Sequence, residues 1–392
     1  MLIVANKILV GSGEYLENGA LLIEGDTIAA VGPADAVAAR AGSGVERIAF
    51  EGTVLPGLID AHVHLAFDGG ADPVAALAES SDETLLSDMR SRAAQLLRSG
   101  VTTTRDLGDR NGLALRLASE IAQGTTAGPR IVSAGTPATP PGGHCHFLGG
   151  EVAGEEEIRA LVQRNLSQGA GVIKAMVTGG GLTKDGPKSW ESQFSQEELA
   201  VLVAEAHSAG VPVAAHAHGT PGIAAAVEAG VDTIEHCTWM TGDGFDFRED
   251  LVQKIVEDGI AVCPAVSPHW QMLPRFFGEE RAQAMFELVR KMADAGVKLV
   301  AGTDAGVQRA GFDGLVPALS FYAHLGLPNS RIIDMATSSA ADALGLGDTT
   351  GRIAPGCRAD LILVDGDPLE DLGALKAIRA VVTEGRKVDL SA

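Results

Sequence analysis

The middle of this chain alternates short apolar runs with longer amphipathic stretches, which constrains the fold more than any other feature. Eight runs are typical of strands: LIDAHVHL, VTTTRDLG, RIVSAG, GVIKAMVT, VPVAAHAHG, VDTIEHC, IAVCP and VKLVAGTDAG. Helix-like segments such as SQEELAVLVAEAHSAG lie between them. The junctions HSAGVPV, VEAGVDTI and ADAGVKLV place glycine where a helix ends. The pattern predicts an α/β fold, a (β/α)8 TIM barrel rather than a doubly wound sheet.

The two ends of the chain have a different texture. Residues 1–56 contain short apolar runs separated by Gly and Asn, and GRIAPGCRADLILVDGDP and AIRAVVTEGRKV repeat this pattern near the C-terminus. Such runs are typical of strands and hairpins. We therefore expect residues 1–56 and 350–392 to form one small β-sandwich domain, and residues 57–349 to form the catalytic barrel.

The charge and cysteine content limit the partners and the kinds of site that the chain is expected to have. The net charge is −21, so nucleic acid and anionic membranes are not expected as partners. The four cysteines lack C-x-x-C spacing, which disfavours a disulfide framework or a cysteine zinc site. The N-terminus shows no export signal, and no apolar run approaches the ~18 residues of a membrane span. We expect a cytoplasmic protein with a small-molecule substrate, and leave homo-oligomerisation open.

Two histidines follow the first predicted barrel strand. His62 and His64 lie two positions apart in LIDAHVHL, so both imidazoles point to the same side, into the barrel mouth. A single histidine on an apolar strand is usually a core residue. A pair on one side favours a metal site, because imidazole is the commonest metal ligand.

Further polar residues stand at equivalent strand ends. His216 and His218 end VPVAAHAHG, and His236 ends VDTIEHC one βα unit later. Asp304 ends the last predicted barrel strand, where a carboxylate can bind a metal and accept a proton. An aspartate in that position is more often a helix cap when considered alone. Together with the histidines, it favours a metal centre.

Lys174 lies inside the apolar run GVIKAMVT. Lysine is almost never buried without a partner, and burial disfavours its charged form. A neutral amine can react with CO2 to give a carbamate, N6-carboxylysine, whose two oxygens can bridge two metal ions. The alternative is a salt bridge between Lys174 and a carboxylate on a neighbouring strand. We expect N6-carboxylysine at this position.

Five segments carry a resemblance to a known family: PGLIDAHVHL, IKAMVTGGG, AAHAHG, IEHC and AGTDAG. Their order resembles that of the amidohydrolase superfamily, over nearly all of the chain. The chain is most similar to the branch that contains imidazolonepropionase-related hydrolases, Xaa-Pro and Xaa-Arg dipeptidases and ochratoxin amidases. The resemblance implies a binuclear centre of two divalent ions, for which we expect zinc.

The resemblance also implies roles for individual residues. The implied metal ligands are His62, His64 and Asp304 for one ion, His216 and His236 for the other, and carboxylated Lys174 with a hydroxide for both. The first histidine of the H-A-H motif is the ligand in that branch, so His218 is expected to contact the substrate or polarise its carbonyl. Asp304 would act as base and then as acid.

Loops at the same end of the barrel supply further candidates. The segment PPGGHCHFLGG contains two histidines, whereas the branch usually has one after the glycine pair. His144 is therefore the expected catalytic one, and His146 departs from the pattern. The expected substrate contacts are His146, Trp190, Trp239, His269 and Arg309. The aromatic residues can equally be packing residues, and Arg309 is a candidate carboxylate anchor by position alone.

The resemblance implies a hydrolase that cleaves an amide C–N bond through a metal-bridging hydroxide. The implied substrate is an N-acyl amino acid, a dipeptide or an aryl amide. The alternatives are a ring-opening cyclic amidase similar to imidazolonepropionase, or a lactone, phosphotriester or carbamate hydrolase with the same two metals. Deaminases of the superfamily carry H-x-x-E near the fifth strand, and the residue three after His216 is Gly219. Deamination is therefore disfavoured.

Overall fold

The N-terminal segment of the chain is built from strands. The structure, a computed structural model, describes residues 1–390. Its first elements are β1 (Leu2–Gly11), β2 (Glu14–Glu24), β3 (Thr27–Pro33), helix α1 (Ala34–Ala38) and β4 (Arg47–Pro56). β1 pairs antiparallel with β2 and parallel with β4, and β2 pairs antiparallel with β3. These strands therefore form one mixed sheet.

Each of the eight apolar runs forms a strand, as predicted. The strands are β5 (Leu58–Val63), β6 (Val101–Asp106), β7 (Arg130–Ser133), β8 (Ile173–Met176), β9 (Val213–Gly219), β10 (Thr233–Met240), β11 (Ala261–Cys263) and β12 (Lys298–Leu299). β5–β7 form one parallel sheet and β8–β12 another. Parallel bridges Val63–Ala305 and Ala138–Ala175 join the two sheets at both edges. The strands thus follow one another in chain order, and the fold is TIM-barrel-like.

Helices connect the parallel strands and also follow the last of them. They are α2 (Pro73–Glu79), α3 (Asp82–Arg98), α4 (Leu113–Ala122), α5 (Gly154–Ser167), α6 (Gln196–Ser208), α7 (Thr220–Ala229), α8 (Glu249–Glu257), α9 (Leu273–Phe277), α10 (Glu279–Asp294), α11 (Leu315–His324), α12 (Asn329–Met335) and α13 (Ser338–Ala343). Short 3-10 helices span His146–Leu148, Trp270–Met272 and Leu372–Lys376. Within residues 1–390, no helix combines the length and the apolar character needed to cross a bilayer.

Local sequence signals explain where these helices begin and end. A capping box opens α6, where the Ser195 hydroxyl accepts from the Glu198 amide and the Glu198 carboxylate accepts from the Ser195 amide. The three predicted junction glycines, Gly210, Gly230 and Gly296, have φ of +71°, +77° and +91°. Only glycine adopts this conformation without a steric cost, so each can end its helix and turn the chain into the next strand.

The C-terminal segment returns to the first sheet. It contributes β13 (Leu361–Val364), β14 (Ile378–Thr383) and β15 (Arg386–Lys387). β13 pairs antiparallel with β4, so the order in the seven-stranded sheet is β15-β14-β13-β4-β1-β2-β3. Buried apolar residues from both ends pack together, among them Ile8, Leu21 and Val382. The two ends of the chain therefore meet; the sandwich and the domain division stay predictions.

The contact between β5 and the segment after β12 positions the site. The Asp304 amide donates to the His62 carbonyl at 2.8 Å, and the His64 amide donates to the Ala305 carbonyl at 2.8 Å. Below them, the buried Asp60 carboxylate accepts from the Thr303 hydroxyl at 2.6 Å and from the Thr303 amide at 3.1 Å. These bonds hold Asp304 beside both histidines.

Candidate metal centre

The predicted ligand residues converge at one end of the parallel strands. His62 ends β5, His216 lies in β9 and His236 in β10, while Asp304 follows β12. The imidazole centroids of His62 and His236 are 5.1 Å apart, and those of His216 and His236 are 4.7 Å apart. A cavity of about 310 Å³ opens over this cluster. Residues distant in sequence thus form one polar centre.

Two groups of histidine and aspartate side chains have the spacing of a metal site, and a third group with that spacing consists of His62, Glu235 and Cys263. Potential ligand atoms lie within 4.8 Å of one another in His62, His236 and Asp304, and likewise in His216, His218 and His236. His236 belongs to both groups. The geometry therefore brings His218 as close to the cluster as the predicted ligand His216.

His62 and His64 each have one ring nitrogen close to Asp304. The Nδ1 of His64 donates to the Gly108 carbonyl at 3.2 Å, because a carbonyl can only accept. The Nε2 atoms of His62 and His64 lie 3.3 Å and 3.5 Å from Asp304 Oδ1. These three atoms converge as ligands of one ion would.

A buried ion pair orients His62. Its Nδ1 lies 2.8 Å from Glu235 Oε2, while Glu235 Oε1 accepts from Arg105 at 2.7 Å and from the Thr233 hydroxyl at 2.7 Å. The Arg105 Nε donates to the Ala61 carbonyl at 2.8 Å. Burial raises the pKa of Glu235, but Arg105 and His62 outweigh it, and the pKa lies below its usual range. An ionised Glu235 accepts the Nδ1 proton of His62 and so orients the ring, with Nε2 on the side of Asp304.

The other histidines of the cluster are neutral. Burial lowers the pKa of His64 and of His218 to about 4. Burial and the neighbouring rings hold the pKa values of His216 and His236 well below their usual range. A neutral imidazole offers a lone pair, which is the form that binds a metal ion.

Lys174 and Asp304 present buried polar atoms without hydrogen-bond partners. The Lys174 side chain is buried on β8, its Nζ has no partner in residues 1–390, and burial lowers its pKa to about 8. Asp304 Oδ1 likewise has no hydrogen bond. Buried polar groups are normally satisfied. An unpaired amine and carboxylate among neutral imidazoles form a donor set that fits divalent metal ions.

Several ends of these strands adopt a rare backbone conformation. His236, Cys237 and Asp304 have φ of +68°, +49° and +57°, and Ala265 after β11 has φ of +50°. Residues other than glycine seldom adopt such angles, and those that do cluster at functional sites. The strain here lies where the chain turns its side chains into the cavity.

The two predicted catalytic histidines border the same cavity. The His144 ring lies 4.6 Å from that of His216, and its Nδ1 is 3.3 Å from the Thr183 hydroxyl. The His218 ring stacks on His236 at 4.4 Å, and its Nδ1 is 3.0 Å from the Thr238 hydroxyl. Both side chains are therefore held by a hydroxyl at the edge of the metal centre.

The predicted substrate contacts lie in different surroundings. The Trp239 indole is fully buried, packs on Phe247 at 5.2 Å and donates to the Met292 sulfur at 3.4 Å. The Arg309 guanidinium is exposed and stands over the Phe276 ring at 5.8 Å. The remaining three predicted contacts are placed as follows: His146 lines a neighbouring groove, Trp190 is half-buried beside Gly219, and His269 is exposed. None of these five residues lines the cavity over the cluster.

Sequence reasoning missed Arg105 and Glu235. Arg105 lies in the apolar run VTTTRDLG, and Glu235 directly precedes His236. A charged residue inside a predicted barrel strand is a signal of a buried ion pair, the signal that drew attention to Lys174. Applied to these two positions, it could have found the pair.

The chain is similar to several known proteins. The sequence pattern of the amidohydrolase family matches residues 53–388, and that of the bacterial imidazolonepropionase-like composite domain matches residues 19–41. The chain is similar to ochratoxinase of Aspergillus niger, with 29% identity over 418 residues that cover 97% of this chain and 84% of the relative. It is also similar to imidazolonepropionase of Paracoccus denitrificans, with 28% identity and 90% of each chain covered.

A solved structure has the same overall fold. A Xaa-Pro dipeptidase with methionine bound in its active site superposes with a TM-score of 0.86. The two sequences are 30% identical, and the match covers 99% of both chains. The similarity therefore includes the sheet built from the two chain ends as well as the parallel strands.

We expect the substitution Glu235→Gln to weaken zinc binding by about 10- to 100-fold, as loss of a residue that orients a ligand does. A glutamine amide accepts through one oxygen only, so it cannot serve both Arg105 and the Nδ1 proton of His62. Competition with a chelator would measure the affinity. Glu228→Gln, which removes an exposed partner of Lys254, is the matched control. Unchanged affinity in Glu235→Gln would show that other contacts orient His62.

Proposed function

The chain belongs to the amidohydrolase family, and we propose that it hydrolyses the amide bond of an N-acyl amino acid, a dipeptide or an aryl amide with two divalent metal ions. It is a hydrolase that acts on carbon–nitrogen bonds. The observation that carries the two-metal proposal is the unpaired Lys174 amine beside the Asp304 carboxylate, among neutral histidines. Metal ions coordinated by these atoms would supply the partners that buried polar groups normally have.

The proposed ligand set follows the convergence of the side chains. His62, His64 and Asp304 would hold one ion, because the two Nε2 atoms approach the same carboxylate oxygen. His216 and His236 would hold the second ion, and Lys174, carboxylated on Nζ, would contribute to both. Nitrogen and oxygen ligands of this kind suit zinc. When bound, two such ions acidify water and polarise a carbonyl group.

Asp304 is the proposed proton carrier. Burial raises its pKa, but the neighbouring His62 and His64 outweigh burial, so the pKa lies below its usual range and the carboxylate is ionised. An ionised carboxylate can accept the proton of the attacking water. It can then return that proton to the amine nitrogen as the C–N bond breaks, so one group serves both steps.

His218 is the proposed polarising residue for the substrate carbonyl. Its Nδ1 lies 3.0 Å from the Thr238 hydroxyl, and in the tautomer in which Nδ1 accepts from that hydroxyl the ring proton is on Nε2, which can then donate. A donor aimed at the carbonyl oxygen stabilises the negative charge that develops there. His144, whose Nδ1 lies near the Thr183 hydroxyl and whose ring lies beside His216, would contact the substrate from the loop after β7.

A second candidate reaction is the opening of a cyclic amide. The match of residues 19–41 to the imidazolonepropionase-like domain favours it, together with the similarity to imidazolonepropionase. The same water attack and proton transfer would apply, but the leaving nitrogen would stay attached to the product. The substrate panel below separates the two candidates.

The function test compares the protein with its Asp304→Asn variant on N-acyl amino acids, dipeptides, aryl amides and cyclic amides, and on lactones and phosphotriesters. We expect the parent to hydrolyse at least one linear amide. Asparagine retains the size of Asp304 but cannot take the proton, so nearly all turnover should be lost. Asp313→Asn, at an exposed position nearby, should retain it. Hydrolysis of cyclic amides alone would favour the second candidate, and hydrolysis of lactones or phosphotriesters alone would refute amide cleavage.

Replacing Lys174 by alanine tests the shared ligand. Lys174→Ala should abolish amide hydrolysis and lower the zinc content, since it removes the group common to both ions. Acetate or propionate should restore part of the activity by occupying the space with a carboxylate. Carbon NMR of protein equilibrated with labelled bicarbonate should detect a carbamate in the parent and not in the variant. One zinc ion per chain together with an unmodified Lys174 would contradict the two-metal proposal.

His218→Asn tests the polarising role. Turnover should fall about 100-fold, the usual cost of losing a donor to a developing oxyanion, while zinc content stays unchanged. His207→Asn on α6, whose partner is Asp232 at 2.8 Å, is a control with the same chemical change. Loss of zinc from His218→Asn would instead make His218 a ligand, in agreement with its spacing to His216 and His236.

A further inference from the structure

A second pocket lies directly beside the metal centre. Its volume is about 190 Å³, and it shares His218 and His236 with the cavity over the ligand cluster. The two stacked imidazoles therefore form the partition between the two spaces. A molecule whose reactive bond lies at the cluster can extend past these rings into the second pocket.

The lining of this second pocket is apolar. Side chains from three helices contribute to it, including Leu273 of α9, Met285 and Val289 of α10, and Phe321 of α11. Within the described chain, the residues that line it include no Asp, Glu, Lys or Arg. A charged group placed there would lose its hydration without gaining a partner.

The wall of the second pocket is held by aromatic packing. The Trp270 ring lies 5.9 Å from Phe286 and 5.6 Å from Phe321, and both of these rings line the pocket. The Trp270 indole donates to the Ser320 hydroxyl at 3.0 Å, which fixes its orientation. The pocket is therefore a preformed space rather than a gap that side chains can fill.

The volume suits one ring. An apolar cavity of about 150 Å³ is known to stay dry and to bind benzene. A space of about 190 Å³ has room for a phenyl group or a branched alkyl chain of similar size. The short helix α9 extends the apolar surface outward, since Phe276 and Phe277 on it are 60% and 46% exposed.

We propose that this pocket binds an uncharged, phenyl-sized group of the substrate and thereby selects amides that carry an aryl or branched alkyl group. The inference rests on the proposed amide hydrolysis at the neighbouring metal centre. It narrows the proposed substrates to amides with such a group, and much of the selecting surface belongs to the helices after β11. None of the five substrate contacts predicted from the sequence lines this pocket.

Binding of a simple aromatic probe tests the pocket without turnover. Fluorine NMR should detect saturable binding of fluorobenzene to the protein, with or without zinc. Val289→Phe, which fills part of the space from a half-buried position, should weaken that binding at least about tenfold. Val256→Phe, the same change at an exposed site on α8, should leave it unchanged. Absence of saturable binding to the parent, or equal binding to Val289→Phe, would overturn the proposal.

Kinetics then test selection. N-acetyl-L-phenylalanine carries the ring on the amine side of the amide, N-benzoylglycine carries it on the acyl side, and N-acetylglycine carries none. At least one of the first two should exceed N-acetylglycine in kcat/KM by about 10- to 100-fold, the ratio expected for burying a ring. Val289→Phe should remove most of that preference, whereas Val256→Phe, at the exposed site on α8, should keep both the preference and the N-acetylglycine rate. Val289→Ala, which enlarges the pocket, should shift the preference toward larger rings.

The outcomes separate the two proposals. A preference that Val289→Phe leaves intact would overturn the pocket assignment while amide hydrolysis stands. If the parent cleaves no amide but binds fluorobenzene through Val289, amide hydrolysis fails and the apolar binding site stands. Thermal unfolding and zinc content of each variant, compared with the parent, would identify a variant that is merely misfolded. If Val289→Phe is misfolded, the preference of Val289→Ala for larger rings decides whether the pocket selects the substrate.

Discussion

The buried ion pair between Arg105 and Glu235 is the interaction on which the rest of the site depends. It joins β6 to β10 inside the ring of parallel strands, and its second carboxylate oxygen reaches His62 on β5. Both charged groups are buried, so removing either would leave an uncompensated charge, which costs about 3–5 kcal/mol. The pair therefore fixes the relative position of three strands together with the orientation of His62, a proposed metal ligand.

The contact between β5 and the segment after β12 also positions the site, because it orients Asp304. Asp60 accepts two hydrogen bonds from Thr303, and the next residue, Asp304, turns at a positive φ of +57° toward His62 and His64. Such a conformation persists only where the surrounding structure determines it. Hydrogen bonds before and after Asp304 in the chain hold it in this conformation. Its carboxylate is therefore preorganised before any ligand binds.

Sequence periodicity predicted the parts of the structure that depend on local pattern. The apolar runs became strands and the junction glycines ended helices, and the spacing of His62 and His64 placed two imidazoles at one strand end. The charges of Arg105 and Glu235 inside predicted strands signal burial, but the two residues are 130 positions apart, so the local pattern does not show that they pair with each other. The pairing of β13 with β4 also depends on tertiary contacts. The buried position of Trp239 follows from packing on Phe247 and Met292, which its sequence neighbours do not reveal.

The stacked rings of His218 and His236 separate two environments of opposite character. On one side lie Lys174 and Asp304, and on the other lie the apolar side chains of α9, α10 and α11. A neutral imidazole suits this boundary, since its edge is polar and its face packs against carbon. An amide bound at this boundary gains the most binding free energy when its carbonyl contacts the polar side and its apolar group contacts the apolar side. Binding energy from the remote group can then position the reacting bond. Because the helices that line the apolar side supply no proposed metal ligand, changes in them can alter selectivity while the reacting centre remains the same.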